Sequence, residues 1–282
     1  IASSQDYGRL LDIDYIMRNV GGFKMGPFEL MDLIGIDVNL AATINVYNGF
    51  NNHPRFAPHP IQQQMVEDKK FGKKSGEGFL MGKKRHPQEY NSSIRKCQMI
   101  ETLNLDLIDS DVIIDLSKAS SEEKIKFYKS LKRNGKIIIA DLSIVSSDEF
   151  KKLKPYIDGS LSLSFKSDKG IELIKFSDNP TIEGDLKNFF GINIFTLNNY
   201  STHVFPRIIS MIINESQLSL QEDLASENDI DKAMKYGLNY PKGPIEWLGD
   251  FDIEDIAKVL SNLPSYNKSE SPSRYTMAKK FS

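Results

Sequence analysis

The stretch Gly22-Phe23-Lys24-Met25-Gly26-Pro27-Phe28-Glu29-Leu30 recurs near the end of the chain as Asn239-Tyr240-Pro241-Lys242-Gly243-Pro244-Ile245-Glu246-Trp247. Gly-Pro and the following glutamate stand 217 residues apart in the two stretches, and so do the upstream pairs Ile13-Asp14 and Ile230-Asp231. A later Arg-aromatic pair in Pro54-Arg55-Phe56 has an echo in Ser273-Arg274-Tyr275. The sequence therefore predicts two copies of one helical module, separated by a segment of another kind.

The module has a pattern of helix, tight turn and helix. Asp12 or Asp14 is predicted to cap a first helix, as Asp229 or Asp231 would in the second copy, and Gly21-Gly22 ends that helix because glycine enters the left-handed conformation without a clash. A proline is tolerated in the first turn of a helix, where its missing amide hydrogen is not needed. We therefore assign a structural role to the corner residues of both copies, which are Gly26, Pro27, Gly243 and Pro244.

The segment between the copies alternates strand and helix patterns. The β-branched run Val112–Leu116 is typical of a buried parallel strand. Ser120 or Ser121 with Glu123 predicts the start of a helix that Asn134-Gly135 ends. Further strands and one helix are predicted at Lys136–Ala140, Leu161–Phe165, Ile171–Phe176, Glu183–Phe190 (the helix) and Ile192–Leu197. Such strand–helix–strand units imply a parallel sheet with right-handed crossovers.

Length and composition set outer bounds on the function. The length of 282 residues alone suggests about two domains, and the sequence pattern divides the chain into the segments 1–83, 84–200 and 201–282. A net charge of −2 and a pI near 6.2 argue against nucleic-acid binding. The single Cys97 suits a reducing compartment, so a cytoplasmic location is expected. No apolar run reaches the roughly 20 residues that span a bilayer, so no membrane partner is expected.

Three motifs of the first copy closely resemble one known family. They are Gly21–Asp37, Pro54–Pro58 and Gly72–Phe79, and in order and spacing they resemble the C-terminal domain of NAD-dependent 3-hydroxyacyl-CoA dehydrogenases. The second copy, with Ile213-Asn214-Glu215 and Asn239–Trp247, resembles the divergent second C-terminal domain of the longer, phenylacetate-pathway members called 3-hydroxybutyryl-CoA dehydrogenases. The resemblance implies a fold of two all-α modules that flank a degenerate, Rossmann-like α/β middle.

The middle segment resembles the later part of the family's dinucleotide-binding domain, without its chemistry. Alignment puts Lys175 at the family's partnering glutamate and Leu163, or a neighbouring serine, at its catalytic histidine. The family's Asn-Arg falls on Pro206-Arg207. The nearest approach to a Gly-x-Gly-x-x-Gly phosphate loop, Gly72–Gly78, follows no predicted strand. The sequence thus predicts no catalytic and no cofactor-binding residue in this chain.

Two other features are weighed for ligands. His53 and His59 could share a metal ion, but a proline-rich loop is the preferred interpretation, so no metal is predicted. Lys73 and Ser75 are candidates for contacts to a CoA phosphate, against the alternative of a plain glycine-rich turn.

The resemblance implies an oxidoreductase of fatty-acid β-oxidation or phenylacetate catabolism. The chain, which opens on Ile1, is expected to be the C-terminal portion of an enzyme that oxidises (S)-3-hydroxyacyl-CoA to 3-oxoacyl-CoA. NAD would be bound by a missing N-terminal Rossmann domain, while this portion encloses the acyl-CoA substrate and forms a homodimer or a pseudo-dimer of its two modules. The alternatives are a non-catalytic scaffold and a CoA-binding protein that acts in trans.

Overall fold

The computed structural model describes residues 4–93, 95–263 and 276–282, and its centre is one six-stranded sheet. The strands lie in chain order, and all neighbours are parallel except β4 and β5. Their bounds are β1 Cys97–Ile100, β2 Val112–Asp115, β3 Ile137–Asp141, β4 Gly159–Leu161, β5 Ile171–Lys175 and β6 Ile194–Asn198.

Helices cover both faces of this sheet. α5 (Ser121–Arg133) and α6 (Ser147–Leu153) pack on one face, and α7 (Ile182–Phe190) packs on the other. The reversal of chain direction between β4 and β5 explains the change of face, because a right-handed crossover then places its helix on the opposite side. β2 is buried along its whole length, as its apolar run predicts.

The two helical repeats correspond at an offset of 217 residues, so that the first three helices of the first repeat match the last three helices of the second. The first contains α1 (Ser4–Asn19), α2 (Pro27–Ile34), α3 (Ile36–Gly49) and α4 (Pro60–Glu67). The second contains α8 (Phe205–Gln221), α9 (Glu227–Lys232), α10 (Pro244–Asp250) and α11 (Ile253–Ser261), and α9 continues as a π-helical turn to Gly237.

The predicted fold class, two all-α modules flanking a degenerate domain, is wrong. The described structure is an α/β arrangement in which the helical repeats share their core with a well-formed, mostly parallel sheet. Tyr15 of α1 packs edge-on against Phe195 of β6, with ring centroids 5.9 Å apart. Phe165, which follows β4, lies 5.0 Å from Phe251 at the end of α10. Apolar side chains of both helical repeats therefore pack in one core with residues of the sheet.

The Gly-Pro corners repeat in three dimensions. Asp14 accepts hydrogen bonds from the amides of Phe28 (3.0 Å) and Glu29 (2.8 Å), and Asp231 accepts them from the equivalent Ile245 (2.8 Å) and Glu246 (3.2 Å). The prediction that these aspartates cap their own helices was wrong, because they cap the next helix. A Cβ atom on the corner glycine would lie 2.1 Å from the aspartate Cγ in both copies, so the cap requires glycine.

The two corner loops touch each other across an approximate twofold axis. The rings of Phe23 and Tyr240, equivalent residues of the two copies, lie 4.9 Å apart. Lys24 Nζ reaches Asn239 Oδ1 at 3.4 Å, and in the reciprocal pair a Cβ atom added to Gly22 would lie 3.6 Å from Pro241 Cβ. A residue that meets its own equivalent is the mark of an isologous contact. The contact involves the corner loops, and the outer surface of α3 stays exposed.

A linker without helix or strand in its described residues, 83–93, 95 and 96, joins the first repeat to the sheet. Arg85 forms an ion pair with Asp12 and donates to the carbonyl of Thr196 at 2.6 Å. Eight residues on, the carboxylate of Asp185 in α7 accepts from the Ser93 amide at 2.8 Å. The linker is thus fastened to both of the regions it connects.

Most of the predicted strands and helices of the middle segment are confirmed within a residue or two. The capping box of Ser120 and Glu123 begins α5. β1 and α6 were not predicted, and the stretch predicted as a strand at Leu161–Phe165 is mostly a 3-10 turn after β4. Ser273-Arg274-Tyr275 lies outside the described residues.

Candidate functional site

A cleft of about 740 Å³ opens at the carboxyl edge of the sheet. One wall is made by the loops that follow β2, β3 and β4, and the other wall is α11 of the second helical repeat. Ligands of open α/β sheets bind outside the carboxyl ends of the strands. Apolar side chains (Leu116, Ile144, Leu163) alternate here with charged ones (Lys118, Asp255, Lys258).

The carboxylates that end β2 and β3 hold the loops of this cleft. Asp141 accepts from the amides of Ser143 at 2.9 Å and Ser164 at 3.0 Å. Asp115 accepts from the Tyr128 hydroxyl and lies 3.4 Å from Lys124 Nζ. Burial, and secondarily the Asp115 charge, raise the pKa of the Tyr128 phenol above its ordinary value. These groups position the walls, and their hydrogen-bonding capacity is largely used within the protein.

The turns that follow β2 and β3 do not suit a dinucleotide. Pyrophosphate binding needs a glycine-rich turn and open amides at a helix N-terminus. The turn after β2, Leu116–Ser120, contains no glycine, and Glu123 occupies the N-terminus of α5 by accepting from the Ser120 amide at 2.9 Å. α6 is capped by Ser146 and carries Asp148 and Glu149 in its first turn, which repels an anion. The sheet resembles a dinucleotide-binding fold in architecture, and its turns after β2 and β3 do not suit a pyrophosphate.

A second polar cluster is buried beneath the cleft. Ser160 Oγ lies 2.8 Å from His203 Nε2, and His203 Nδ1 lies 3.5 Å from Glu172 Oε1. The order of hydroxyl, imidazole and carboxylate is that of a nucleophilic triad. Glu172 also accepts from the amides of Val204 (2.8 Å), which precedes α8, and of Phe205 (2.9 Å), the first residue of α8.

This buried cluster anchors α8 and is closed to substrates. Ser160 and Glu172 have no exposed surface, and His203 is 2% exposed. The cavity beside His203 measures about 20 Å³, room for one water molecule. The sequence patterns predict no role for any of the three. A glutamate inside the apolar run of β5 was the available signal, because a buried carboxylate requires donors.

The positions aligned with the family's catalytic residues have structural roles here. Lys175 Nζ pairs with Glu183 at 2.7 Å, and Leu163 lies in the 3-10 turn that lines the cleft. Pro206 lies in the first turn of α8, and Arg207 donates to Thr202 Oγ1 at 2.9 Å. None of these four residues is placed to act as a general base that accepts a hydroxyl proton.

Lys73 and Ser75 lie on the exposed glycine-rich turn of the first repeat, and neither lines the cleft. The amide of Lys73 donates to the Asp32 carbonyl at 2.9 Å. Ser75 Oγ accepts from the Phe71 amide at 2.8 Å and lies 2.9 Å from the Glu77 carbonyl, so it stabilises the turn. The buried Asp32 carboxylate holds the residues that follow by accepting from three amides at 2.7–2.8 Å, those of Phe79, Leu80 and Met81.

The remaining reactive side chains have ordinary surroundings. His59 Nδ1 accepts from the Ile61 amide at 3.2 Å and caps α4, while His53 packs near Phe56. In the part of the chain that the structure describes, no group of three His, Cys, Asp or Glu side chains is placed to hold a metal ion. Burial raises the pKa of the Cys97 thiol to about 11, which keeps it protonated at neutral pH.

A family comparison identifies the class of protein to which both helical repeats belong. The profile described as "3-hydroxyacyl-CoA dehydrogenase, C-terminal domain" matches residues 4–82 and 203–281, the two helical repeats. The chain is similar to an Escherichia coli (strain K12) protein named 3-hydroxyadipyl-CoA dehydrogenase, with 29% identity over 262 residues, 89% of this chain and 49% of that protein. It is also 41% identical over 68 residues to the mitochondrial hydroxyacyl-coenzyme A dehydrogenase of Sus scrofa, covering 24% of this chain and 22% of that one.

The crystal structure of a 3-hydroxybutyryl-CoA dehydrogenase from E. coli K12 has a similar fold. Its TM-score is 0.64 at 28% identity, and the match covers 96% of this chain and 53% of that one. The chain therefore belongs to the 3-hydroxyacyl-CoA dehydrogenase family, as the sequence motifs predict. It spans about half the length of the E. coli relatives that it matches.

Proposed function

We propose that this chain is the C-terminal portion of an NAD-dependent enzyme that oxidises (S)-3-hydroxyacyl-CoA to 3-oxoacyl-CoA in fatty-acid or phenylacetate degradation. The observation that supports it is the cleft between the sheet and α11, which joins the family's helical repeat to a sheet whose turns do not suit a pyrophosphate. The names of the E. coli relatives point to an acyl-CoA substrate.

The proposal divides the work between this chain and residues outside it. NAD, which accepts a hydride in such reactions, would be held by residues other than these 282. The cleft would enclose the acyl chain and pantetheine of the substrate against Leu116, Ile144 and Leu163. Lys73 and Ser75 remain the proposed contacts for a CoA phosphate. The corner contact of Phe23 and Tyr240 supports a pseudo-dimer of the helical repeats, with a homodimer as the alternative.

Calorimetric titration of the purified chain tests this division. Acetoacetyl-CoA is expected to bind saturably, whereas NAD is expected to produce no binding heat. With (S)-3-hydroxybutyryl-CoA and NAD together, no NADH should form. A saturable NAD isotherm, or turnover above that of a heat-treated sample, would contradict the proposal.

Two variants locate the binding. Ser261→Trp fills the cleft from α11 and should weaken acetoacetyl-CoA binding at least tenfold. Lys73→Ala should weaken it severalfold, while the matched Lys83→Ala, also exposed, should not. Equal affinities for wild type and Ser261→Trp would exclude the cleft.

A non-catalytic scaffold is the second candidate. It is favoured by the structural roles of Lys175, Leu163 and Pro206 at the positions aligned with the family's chemistry. The scaffold predicts no affinity for acetoacetyl-CoA, whereas a CoA-binding protein acting in trans predicts affinity without turnover. The same titration therefore separates the scaffold from both CoA-binding functions.

A further inference from the structure

Arg207, in the first turn of α8, is a partly buried cation without a counter-ion among the described residues. Its guanidinium donates to Thr202 Oγ1 at 2.9 Å and forms no ion pair with a carboxylate of the described part of the chain. Burial lowers the pKa of Arg207 below its ordinary value, and no neighbouring negative charge opposes this shift. Since a charge that leaves water needs a partner, the surroundings of Arg207 lack a negative group.

The position of Arg207 on its helix adds to this cost. α8 has 17 residues, and the partial positive charge of a helix N-terminus disfavours a cation in the first turn. Glu172 is the carboxylate at this N-terminus, and it accepts from the amides of Val204 and Phe205. Its other neighbour is His203, whose Nδ1 atom lies 3.5 Å away. The charge of Glu172 therefore serves the helix end and the buried cluster, and Arg207 stays uncompensated.

A small cavity lies beside Arg207. It measures about 20 Å³, which admits one water molecule or one monatomic ion of similar size. Four apolar residues form part of its wall, from the loop after β3, from α11 and from the residue pair that follows α11. The polar residues of its lining are Arg207, Thr202, His203, Ser143, Ser147 and Asn262. We call this space the Arg207 cavity.

The lining of the Arg207 cavity has hydrogen-bond donors to spare. A guanidinium carries five N–H donors, and only one contact of Arg207, the one to Thr202, uses them within the described residues. Asn262 Nδ2 donates to a backbone carbonyl at 3.0 Å and keeps a second hydrogen. His203 is not counted, because its two ring nitrogens lie beside groups of the buried cluster. Unused donors next to an uncompensated positive charge suit an anion.

Two carboxylates contact residues of this lining, and both have partners of their own. Asp141 accepts from the amides of Ser143 at 2.9 Å and Ser164 at 3.0 Å. Glu172 accepts from two amides at the start of α8. Neither carboxylate lines the cavity. Their charges are thus engaged by backbone donors on the far side of the residues that separate them from the cavity.

We propose that the Arg207 cavity binds a small monovalent inorganic anion, of which chloride has the matching size. The volume is too small for a tetrahedral oxyanion such as phosphate. The apolar part of the wall also favours a halide, which gives up its hydration water more readily than phosphate does. This inference is independent of the proposed acyl-CoA function.

A bound anion would connect three elements of the fold. Arg207 belongs to α8, Asn262 directly follows α11, and Ser143 lies in the loop after β3. Val145 and Asn262 line both this cavity and the cleft at the edge of the sheet. A ligand that binds only the native state stabilises it in proportion to the logarithm of its concentration. The stability of the chain should therefore depend on chloride.

Thermal unfolding of the whole chain tests the proposal. Chloride replaces gluconate, an anion too large for the cavity, at constant ionic strength and pH. The wild-type midpoint should rise saturably with chloride, and bromide should act in the same way. Arg207→Met should lose most of that rise. The matched control Arg9→Met, which removes an exposed cation, should keep it.

Chloride NMR gives a second measurement that needs no variant. The wild-type chain should broaden the chloride line, and bromide should reverse the broadening by competition, whereas gluconate should not. Absence of bromide-reversible broadening would overturn the proposal even if Arg207→Met failed to fold.

Three results of the unfolding experiment would also overturn it. The first is an equal chloride dependence in wild type and Arg207→Met. The second is no difference between chloride and gluconate in the wild type, because the cavity would then hold only water. The third is a rise with phosphate as large as that with chloride, which would place the anion outside so small a cavity.

Discussion

The first and second helical repeats share a corner and differ in their surroundings. Both use an aspartate, Asp14 or Asp231, to bind the first amides of the next helix beneath a glycine. Asp14 is 1% exposed, whereas Asp231 is only partly buried. The first repeat also uses Asp32 to hold its glycine-rich turn, and the second has Gly249 at that position. The comparison shows that both repeats keep the same corner structure. The contribution of each corner to the free energy of unfolding should depend on how deeply its aspartate is buried.

The largest effect is expected where the corner is most enclosed. Gly26→Ala places Cβ 2.5 Å from the backbone Cα of Asp14, so a helix must shift, at a cost of about 4 kcal/mol. At Gly243 the three atoms nearest to an added Cβ all belong to the side chain of Asp231, and its partly buried carboxylate can rotate outward with loss of the cap, at about 2 kcal/mol. Denaturant midpoints measure both.

Gly249→Ala is the matched control for the two corner variants. No atom lies within 4 Å of its added Cβ, and alanine favours the helix, so stability should hold or rise by up to about 1 kcal/mol. Equal losses for Gly26→Ala and Gly243→Ala would refute the ranking by burial.

Asp32→Ala removes the contact that only the first repeat has. Three amides between Phe79 and Met81 lose their acceptor in a buried site, and the expected loss is about 3 kcal/mol. Hydrogen exchange should show those amides exposed before the sheet amides. The exposed Asp106→Ala should change stability by less than about 0.5 kcal/mol, and a similar value for Asp32→Ala would contradict the role assigned to it.

The charge of Asp14 should make stability fall as pH rises. Burial, opposed by hydrogen bonds from Phe28 and Glu29, raises the pKa of Asp14 to about 6 from 3.8. The native state then binds the proton more tightly than the unfolded state, so this contribution is complete below pH 3.8 and is lost as pH rises through about 6. Relative to Asp14→Asn, the wild type should lose about 2 kcal/mol between pH 4 and pH 7. Parallel pH profiles would show that the two amides compensate the burial.

The smallest effect concerns the contact between the corners. A double-mutant cycle with Phe23→Leu and Tyr240→Leu should give a coupling energy of about 1 kcal/mol, typical of an edge-to-face ring pair. Phe23→Leu with Phe189→Leu, a ring on α7, should give none. A coupling near zero in the first cycle would mean that the two repeats merely touch.

Local signals predicted much of the fold. The capping box at Ser120 and the glycines after α1 act within a few residues, so the sequence exposes them. β1 is short and half exposed, and its run Cys97-Gln98-Met99-Ile100 lacks a β-branched pattern, which explains why it was missed. The predicted fold class was wrong for another reason. The apolar pattern of α1 indicates that one face of this helix is buried, but it does not indicate that the buried face packs against β6.

The site was less predictable because its groups meet from distant segments. Ser160, Glu172 and His203 come from β4, β5 and the turn before α8, and spacing carries no trace of their contact. Lys73 and Ser75 were chosen by family position, and the structure gives Ser75 a role in its own turn. The cleft itself depends on α11 closing against the strand loops, which a one-dimensional pattern does not contain.

The contacts of the linker bear on how independently the regions on either side of the predicted boundary at residue 83 can unfold. Arg85 joins α1 to β6 through Asp12 and Thr196, and Ser93 is held by Asp185 of α7. If the first repeat separated from the sheet, the partly buried Arg85–Asp12 ion pair would break, and the Asp185 carboxylate would lose the hydrogen bond from the Ser93 amide. The freed linker would regain little entropy because it is short. We therefore expect the two regions to unfold as a single cooperative unit, although the sequence predicts a boundary between them.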